Sequence, residues 1–354
     1  MRRILLENIT SGMKLAKPLY SAEGIVLLTA GIEITERFVT RLKELDVTYI
    51  YVEDELTQDI DIPDVISEKT RVEAVSTAKQ IIEQIKIGRG VDASQAKKVS
   101  NMLVDELCQN HGVMLNFVDM RTSKDYLFSH CVNVSVLAIM TGINFGFDEL
   151  RLRDLGVGAL LHDVGKTQIS QEVLNKKDRL TVTELAEIKK HPVLGFEILR
   201  KNPDISLVSA HCAFQHHERF DGTGYPRGLK DDEIHQFAQI VAIADVYDAL
   251  TSDSSYRQAV SVYEALAIIL KAGGTYFNEE LVNRFVENIA VYPIGSVIRL
   301  NNNQIGVVVD ISREYKTKPV VRIILDENKQ AINQLMEIDL SKNPRLYIAD
   351  VVER

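Results

Sequence analysis

Cysteine is scarce in this chain. Only Cys108, Cys131 and Cys212 occur among 354 residues. They are odd in number and widely spaced, which argues against a disulfide framework and for thiols kept in a reducing compartment. Long apolar runs are also missing. The nearest, Val132 to Phe147, is interrupted by Asn133, Ser135, Thr141 and Asn144. It falls short of the roughly 20 apolar residues that span a bilayer, so it reads as a buried core helix. The start, Met1-Arg2-Arg3-Ile4-Leu5-Leu6-Glu7, has an apolar run too short for a signal peptide. The expectation is a cytoplasmic chain with no membrane partner. Positive charge is in deficit, with 41 Lys and Arg against 50 Asp and Glu and a formal net charge of -9. Such a surface repels a long phosphate backbone, so long nucleic acids are not expected partners. A small phosphate ligand stays open, because a pocket can be locally positive. Internal repeats and low-complexity tracts are absent.

What is present fits an ordinary globular protein: 45% hydrophobic and 26% charged residues, at a length that suits two or three domains. Residues 1–53 read as a small α/β unit. Ile25 to Leu28 and Thr48 to Val52 are short β-rich runs, and Thr35 to Leu45 carries Phe38, Leu42 and Leu45 at helical spacing. No acidic pair or strand-ending Asp marks it as a phosphoacceptor receiver. The stretch after it, acidic and containing Pro63, reads as a linker. Helices are expected near Arg71 to Ile87 and Ser94 to Gln109, completing a segment 54–114. Residues 115–290 are almost wholly helical in pattern. From 291 to 354 the texture becomes β: Ser296 to Leu300, Gln304 to Asp310 and Val320 to Leu325, with Asn301-Asn302-Asn303 as a turn. The expected fold class is mainly α, a helical bundle flanked by a small N-terminal α/β domain and a small C-terminal antiparallel β unit.

Six of the eight histidines lie between His130 and His217. His130 is on a predicted helix with Val134 and Leu137 at i+4 and i+7, so it faces the core and needs a partner there. In Leu160-Leu161-His162-Asp163-Val164-Gly165-Lys166 an apolar helix ends in His-Asp, with Gly165 available as terminator. Such a pair can hold one metal from two sides, and its carboxylate can reach a second. His191 precedes Pro192, which predicts an extended residue at a corner between helices; Thr181 with Glu184 signals the helix before it. His216-His217 closes another helix, the loop from Asp221 to Pro226 follows, and Asp245 and Asp248 share one more helix, Ile240 to Thr251. Imidazole and carboxylate donors without zinc-finger thiolates suit Fe, Mn, Zn or Ni. Seven side chains are more than one ion ordinarily uses, so two are expected, about 3.5 to 4 Å apart, gripping a phosphate.

The ordered set His130, His162-Asp163, His191, His216-His217 and Asp245 resembles the HD superfamily of metal-dependent phosphohydrolases. The string from His216 to Pro226 resembles the signature of its HD-GYP branch, and Ile243 to Ser252 matches a further block of that family. The resemblance covers about residues 115 to 290. It implies hydrolysis of cyclic di-GMP, a bacterial second messenger, to pGpG or GMP by a metal-bridging hydroxide, with Fe or Mn as the ions and Zn or Ni after them. It implies one ion on His130, His162, Asp163 and Asp245 and another on Asp163, His191, His216 and His217. Asp163 would bridge, and Asp248 would be a supporting residue, as would Asp221. Lys166 and Arg257 would neutralise charge on the phosphate, and Tyr225 would pack against a guanine or shape the pocket mouth. His111, His211 and His235 match no ligand position. Three departures stand out. Tyr126 replaces the Glu with which some members bind a third metal. Ser254-Ser255 replaces an Arg-Pro, and Gln239 replaces an Arg. Gly12-Met13 with Leu15, and Tyr292-Pro293-Ile294-Gly295, resemble accessory regions found beside HD-GYP domains. Alternatives left open are a receptor or scaffold for cyclic di-GMP or a GGDEF-domain protein, a phosphodiesterase for another cyclic dinucleotide, and oxygen chemistry at a diiron centre. Helices in 71–109 either form a homodimer interface or pack on the catalytic domain.

Overall fold

The computed structural model describes residues 1–10, 12–20, 26–45, 47, 49–53, 57, 59–60, 64–110, 126–176, 178–252, 259–312, 314–332 and 334–352. At the N-terminal end β1 (Arg2–Leu5) pairs antiparallel with β4 (Tyr49–Val52), and β2 (Leu19–Tyr20) with β3 (Val26–Leu28). Between β3 and β4 runs α1 (Glu36–Glu44), capped by the Thr35 hydroxyl, which accepts from Phe38 N. Leu42 joins Leu15, Ile34, Ile50 and Val52 in a small core of this unit. The sequence reading places β3, α1 and β4 but not β1, whose Arg2-Arg3 start hides a strand that pairs only across some 45 residues.

The bundle begins with α2 (Glu68–Lys86) and α3 (Ala93–Gln109), then α4 (Tyr126–Phe145) and α5 (Glu149–Leu160). Short α6 (Gln171–Leu174) and α7 (Val182–Ile188) lead to α8 (His191–Leu199), α9 (Leu207–Gln215), α10 (Gln236–Thr251), α11 (Val262–Ala272) and α12 (Glu279–Val286). Helix α4 packs on α2, α3, α5, α10 and α12, and every residue from Cys131 to Met140 is buried. Each Val, Leu or Ile buried there contributes on the order of 1.5–3 kcal/mol. By length and composition α4 would also pass for a membrane span, but 78% of its apolar window is buried inside the protein. Its polar residues are satisfied in place: Ser135 Oγ donates to Gly156 O at 3.1 Å and Thr141 Oγ1 to Leu137 O at 2.8 Å.

The C-terminal strands β5 (Val297–Leu300), β6 (Ile305–Asp310), β7 (Val320–Leu325), β8 (Glu337–Asp339) and β9 (Ile348–Val351) form one antiparallel sheet in the order β8-β7-β6-β5-β9. The β5–β6 turn carries Asn303 at φ 70°, a left-handed position that Asn tolerates. Alternation along the strands gives the sheet two apolar faces. Ile298, Leu300, Val308, Val321 and Ile323 continue the core of the bundle. Val307, on the other face, meets Tyr51 and Ile60. Arg322 in β7 donates to Asp59 Oδ2 at 2.7 Å and Glu337 Oε1 at 2.6 Å. The sheet therefore lies between the N-terminal unit and the bundle.

Candidate metal centre

Helix α5 stops at Leu160 with Leu161 as its C-cap, so His162 and Asp163 lie in a turn that leads into a 3-10 helix, Val164–Gln168. This corrects the expectation that the helix ends in the pair with Gly165 as terminator. Gly165 serves close packing instead. A Cβ built on it would collide with the His191 carbonyl oxygen and sit 2.6 Å from Gly195 N. Glycine alone lets the 3-10 turn lie against the start of α8 and bring His191 to Asp163. His191 is the first residue of α8, after Lys190 at φ -80° and ψ -19°, and not the extended residue expected before proline. Pro192 gives up no helical hydrogen bond in a first turn, and packing of α8 on the 3-10 turn outweighs the extended bias. Thr181 and Glu184 form the expected capping box of α7.

Five elements bring their side chains to Asp163. Its Oδ2 lies 3.7 Å from His130 Nε2 and 3.5 Å from His162 Nε2. Its Oδ1 lies 3.4 Å from His191 Nε2 and 3.7 Å from His216 Nε2. Asp245 Oδ1 is 3.2 Å from His130 Nε2 and 3.9 Å from His162 Nε2. His217 completes the second side, its ring 4.1 Å from that of His216 and 4.9 Å from that of His191. Two triads, His130 with His162 and Asp245, and His191 with His216 and His217, each place their donor atoms within 4.8 Å of one another.

The other nitrogen of each imidazole decides what faces the centre. His162 Nδ1 is 2.7 Å from Ala159 O, His191 Nδ1 2.7 Å from Ile188 O, and His216 Nδ1 3.0 Å from Cys212 O and Ala213 O. A carbonyl only accepts, so each Nδ1 carries the proton and each neutral ring turns an Nε2 lone pair inward. Burial lowers the pKa of His162, and it holds His191 and His216 down to about 4. Their Nε2 atoms then have no mutual proton to share, although His191 and His216 bring theirs to 3.3 Å. His162 Nε2 and Asp163 Oδ1 are buried without a hydrogen-bond partner among the described residues. Such inward lone pairs around a carboxylate fit a cation. Burial pushes the Asp163 pKa up, but Lys166 and the imidazoles of His162, His191 and His216 outweigh it and hold the group ionised.

Asp248 supports the first triad. Its Oδ2 lies 2.7 Å from His130 Nδ1, and its Oδ1 accepts from Asn133 Nδ2 at 2.8 Å. Burial opposes protonation of His130, yet Asp245 and Asp248 raise its pKa to about 10. Lys166 Nζ donates to Asp163 Oδ2 in a short ion pair. Tyr225 stacks on His217 at 4.8 Å. Asp221 is exposed, and its carboxylate accepts from Thr223 N and Oγ1 within its own loop. Gln239 Nε2 donates to Ile234 O at 2.9 Å. His235 caps α10, and His211 stacks near it. Arg257, Ser254, Ser255 and His111 lie outside the described residues, as does the side chain of Tyr126. Sequence reasoning gave no role to Asn133 or Glu218. Asn133 sits one turn after His130, and Glu218 directly follows the histidine pair; those positions were the only signals available.

Comparison with known proteins adds to this geometry. Residues 112–281 match the family model described as an HD domain, and residues 297–354 one described as a KOW domain associated with HD domain. A cyclic di-GMP phosphodiesterase of Pseudomonas aeruginosa is 28% identical over 269 residues, 76% of this chain and 65% of the relative. A 3'3'-cGAMP-specific phosphodiesterase of Vibrio cholerae is 35% identical over 144 residues, 41% of this chain and 31% of the relative. The chain thus spans less than two thirds of the length of either. An HDG"Y"P protein from Bdellovibrio bacteriovorus superposes with a TM-score of 0.52 at 19% identity, over 80% of this chain and 97% of that one. At that identity the likeness speaks for the fold.

Proposed function

Residues 112–281 belong to the HD-domain family, and from that premise we propose that the chain is a metal-dependent phosphodiesterase for cyclic dinucleotides, with cyclic di-GMP as the first substrate. One observation carries this reading: the two oxygens of Asp163 face two different sets of imidazoles. The proposed ligands of one ion are His130, His162, Asp163 and Asp245, and of the other Asp163, His191, His216 and His217. Nitrogen and oxygen donors suit Fe or Mn, then Zn or Ni. Bound ions of this kind supply an activated water at neutral pH and a Lewis-acid grip on phosphate.

The protein's own groups do the rest. The carbonyls hold the imidazoles of His162, His191 and His216 in one tautomer, and Asp248 orients that of His130. Lys166, poised at Asp163, is proposed to meet the charge that builds on the phosphate oxygens. Arg257 is proposed to bind the substrate. Tyr225 shapes the mouth of the site through its stack on His217. The proposed domains are residues 1–53, 54–114, 115–290 and 291–354. Three widely spaced cysteines, odd in number, favour a reducing compartment, the cytoplasm. A GGDEF-domain partner and a homodimer through residues 71–109 are secondary proposals, read out by co-purification and by mass in solution.

The test is product chromatography. Protein loaded with Fe or Mn should convert cyclic di-GMP to pGpG or GMP, and His162→Ala should abolish it. The Vibrio cholerae relative favours one second reading, turnover of 3'3'-cGAMP, so that substrate belongs in the same assay. Binding without turnover of either would favour a receptor role and point first to Ser254.

A further inference from the structure

The rim of the metal centre carries a cation that the roles above leave unused. Lys189 is the C-cap of α7, two residues before His191. Its Nζ lies 4.9 Å from the centroid of the Tyr225 ring. That ring stacks on His217 with planes 25° apart, and His217 lies 4.9 Å from His191, centroid to centroid. A continuous chain of contacts therefore runs from the imidazole cluster through one aromatic ring to an ammonium. Lys189 is exposed, so this ammonium stands at the entrance. Nearby Lys176 is paired with Glu184. Lys189 has no carboxylate partner among the described residues, and its charge is available to an anion.

Tyr225 is a fixed support for that lysine. Glu218, 4% exposed, accepts from Arg227 N at 2.7 Å and Leu229 N at 3.0 Å. Tyr225 N donates to His217 O at 3.1 Å. A Cβ on Gly224 would lie 2.6 Å from the Glu218 carbonyl carbon, so the loop is folded tightly back on the histidine pair. A buried carboxylate holding two amide N–H groups sets the loop in one conformation. The ring then holds the ammonium near one place by its negative face.

We propose that Lys189 is a specificity residue that binds the second phosphodiester of a cyclic dinucleotide while the first lies at the metal centre. This rests on the phosphodiesterase reading of the site. A cyclic dinucleotide carries two phosphodiester charges on opposite sides of its ring. Only one can occupy the imidazole cluster, and the other must lie toward the rim. On a protein of formal net charge -9, an exposed cation at that rim distinguishes this ligand from an ester with a single phosphodiester.

The experiment compares wild type, Lys189→Met and Lys189→Arg, all loaded with Mn, on cyclic di-GMP and on bis(p-nitrophenyl) phosphate. For Lys189→Met the ratio of kcat/KM for cyclic di-GMP to that for bis(p-nitrophenyl) phosphate should fall about tenfold, the size of one charged contact. KM should carry the change, and Lys189→Arg should recover most of it. Calorimetric affinity for cyclic di-GMP should fall by the same factor, with metal content equal in all three proteins. An unchanged ratio together with unchanged affinity would overturn the proposal. So would an equal loss on both substrates, which marks a structural role. Wild type that binds cyclic di-GMP without cleaving it would count against the phosphodiesterase reading alone, and the calorimetric comparison would still decide Lys189. Wild type that fails to bind it would overturn Lys189 as well.

Discussion

Asp163 offers one carboxylate oxygen to His130 and His162 and the other to His191 and His216. Asp163→Ala removes both contacts at once. It should lose most bound metal and reduce turnover by ~10²-fold or more, while circular dichroism shows the flanking units folded. Full metal loading in that variant contradicts the bridging role. Asp248 acts one bond further out, through His130 Nδ1. Asp248→Ala should weaken metal binding about 10- to 100-fold, read by competition with a chelating dye. Four of the proposed ligands stand out in the sequence because they come as pairs, His162-Asp163 and His216-His217. The bond from Asn133 to Asp248 does not, since it joins residues far apart in the chain. Asp221, an acid in a Gly-rich loop, accepts from Thr223 of that same loop.

At the scale of elements, the site depends on a close approach between the 3-10 turn Val164–Gln168 and the start of α8. Gly165→Ala puts a methyl group where the His191 carbonyl stands. Overpacking of this kind costs about 1–3 kcal/mol, seen as a lower denaturation midpoint. It should also displace His191 and lower metal content. Normal stability with full metal loading would show that the turn can move without consequence. Helices were read well because their 3.6-residue period is local. The first two strands and the last two were missed, because strand pairing is non-local and Arg2–Leu5, Leu19–Tyr20, Glu337–Asp339 and Ile348–Val351 are short. The helical start at His191 overrode a local rule through tertiary packing, which no window of sequence contains.

Across the whole molecule, the C-terminal sheet is held on one face by the bundle and on the other by the N-terminal unit, with Asp59 and Arg322 joined at that second face. The sequence marked 54–68 as a linker, and nothing local indicated that Asp59 would anchor on a strand far along the chain. Hydrogen bonds from Arg322 lower the Asp59 pKa from 3.8 to about 2. A depressed carboxyl pKa stabilises the fold above its ordinary value, and that contribution is lost as pH falls from about 4 toward 2. The denaturation midpoint of wild type should therefore drop more between pH 5 and pH 2.5 than that of Asp59→Asn; equal drops would mean that the contact adds nothing. The claim at the centre, a metal-dependent cyclic dinucleotide phosphodiesterase, is tested most directly by chromatography of products. Protein loaded with Fe or Mn is incubated with cyclic di-GMP beside the His162→Ala control. The expected result is pGpG or GMP from the first and intact substrate from the control. Intact substrate from both, with Fe, Mn, Zn and Ni tried in turn, would contradict it.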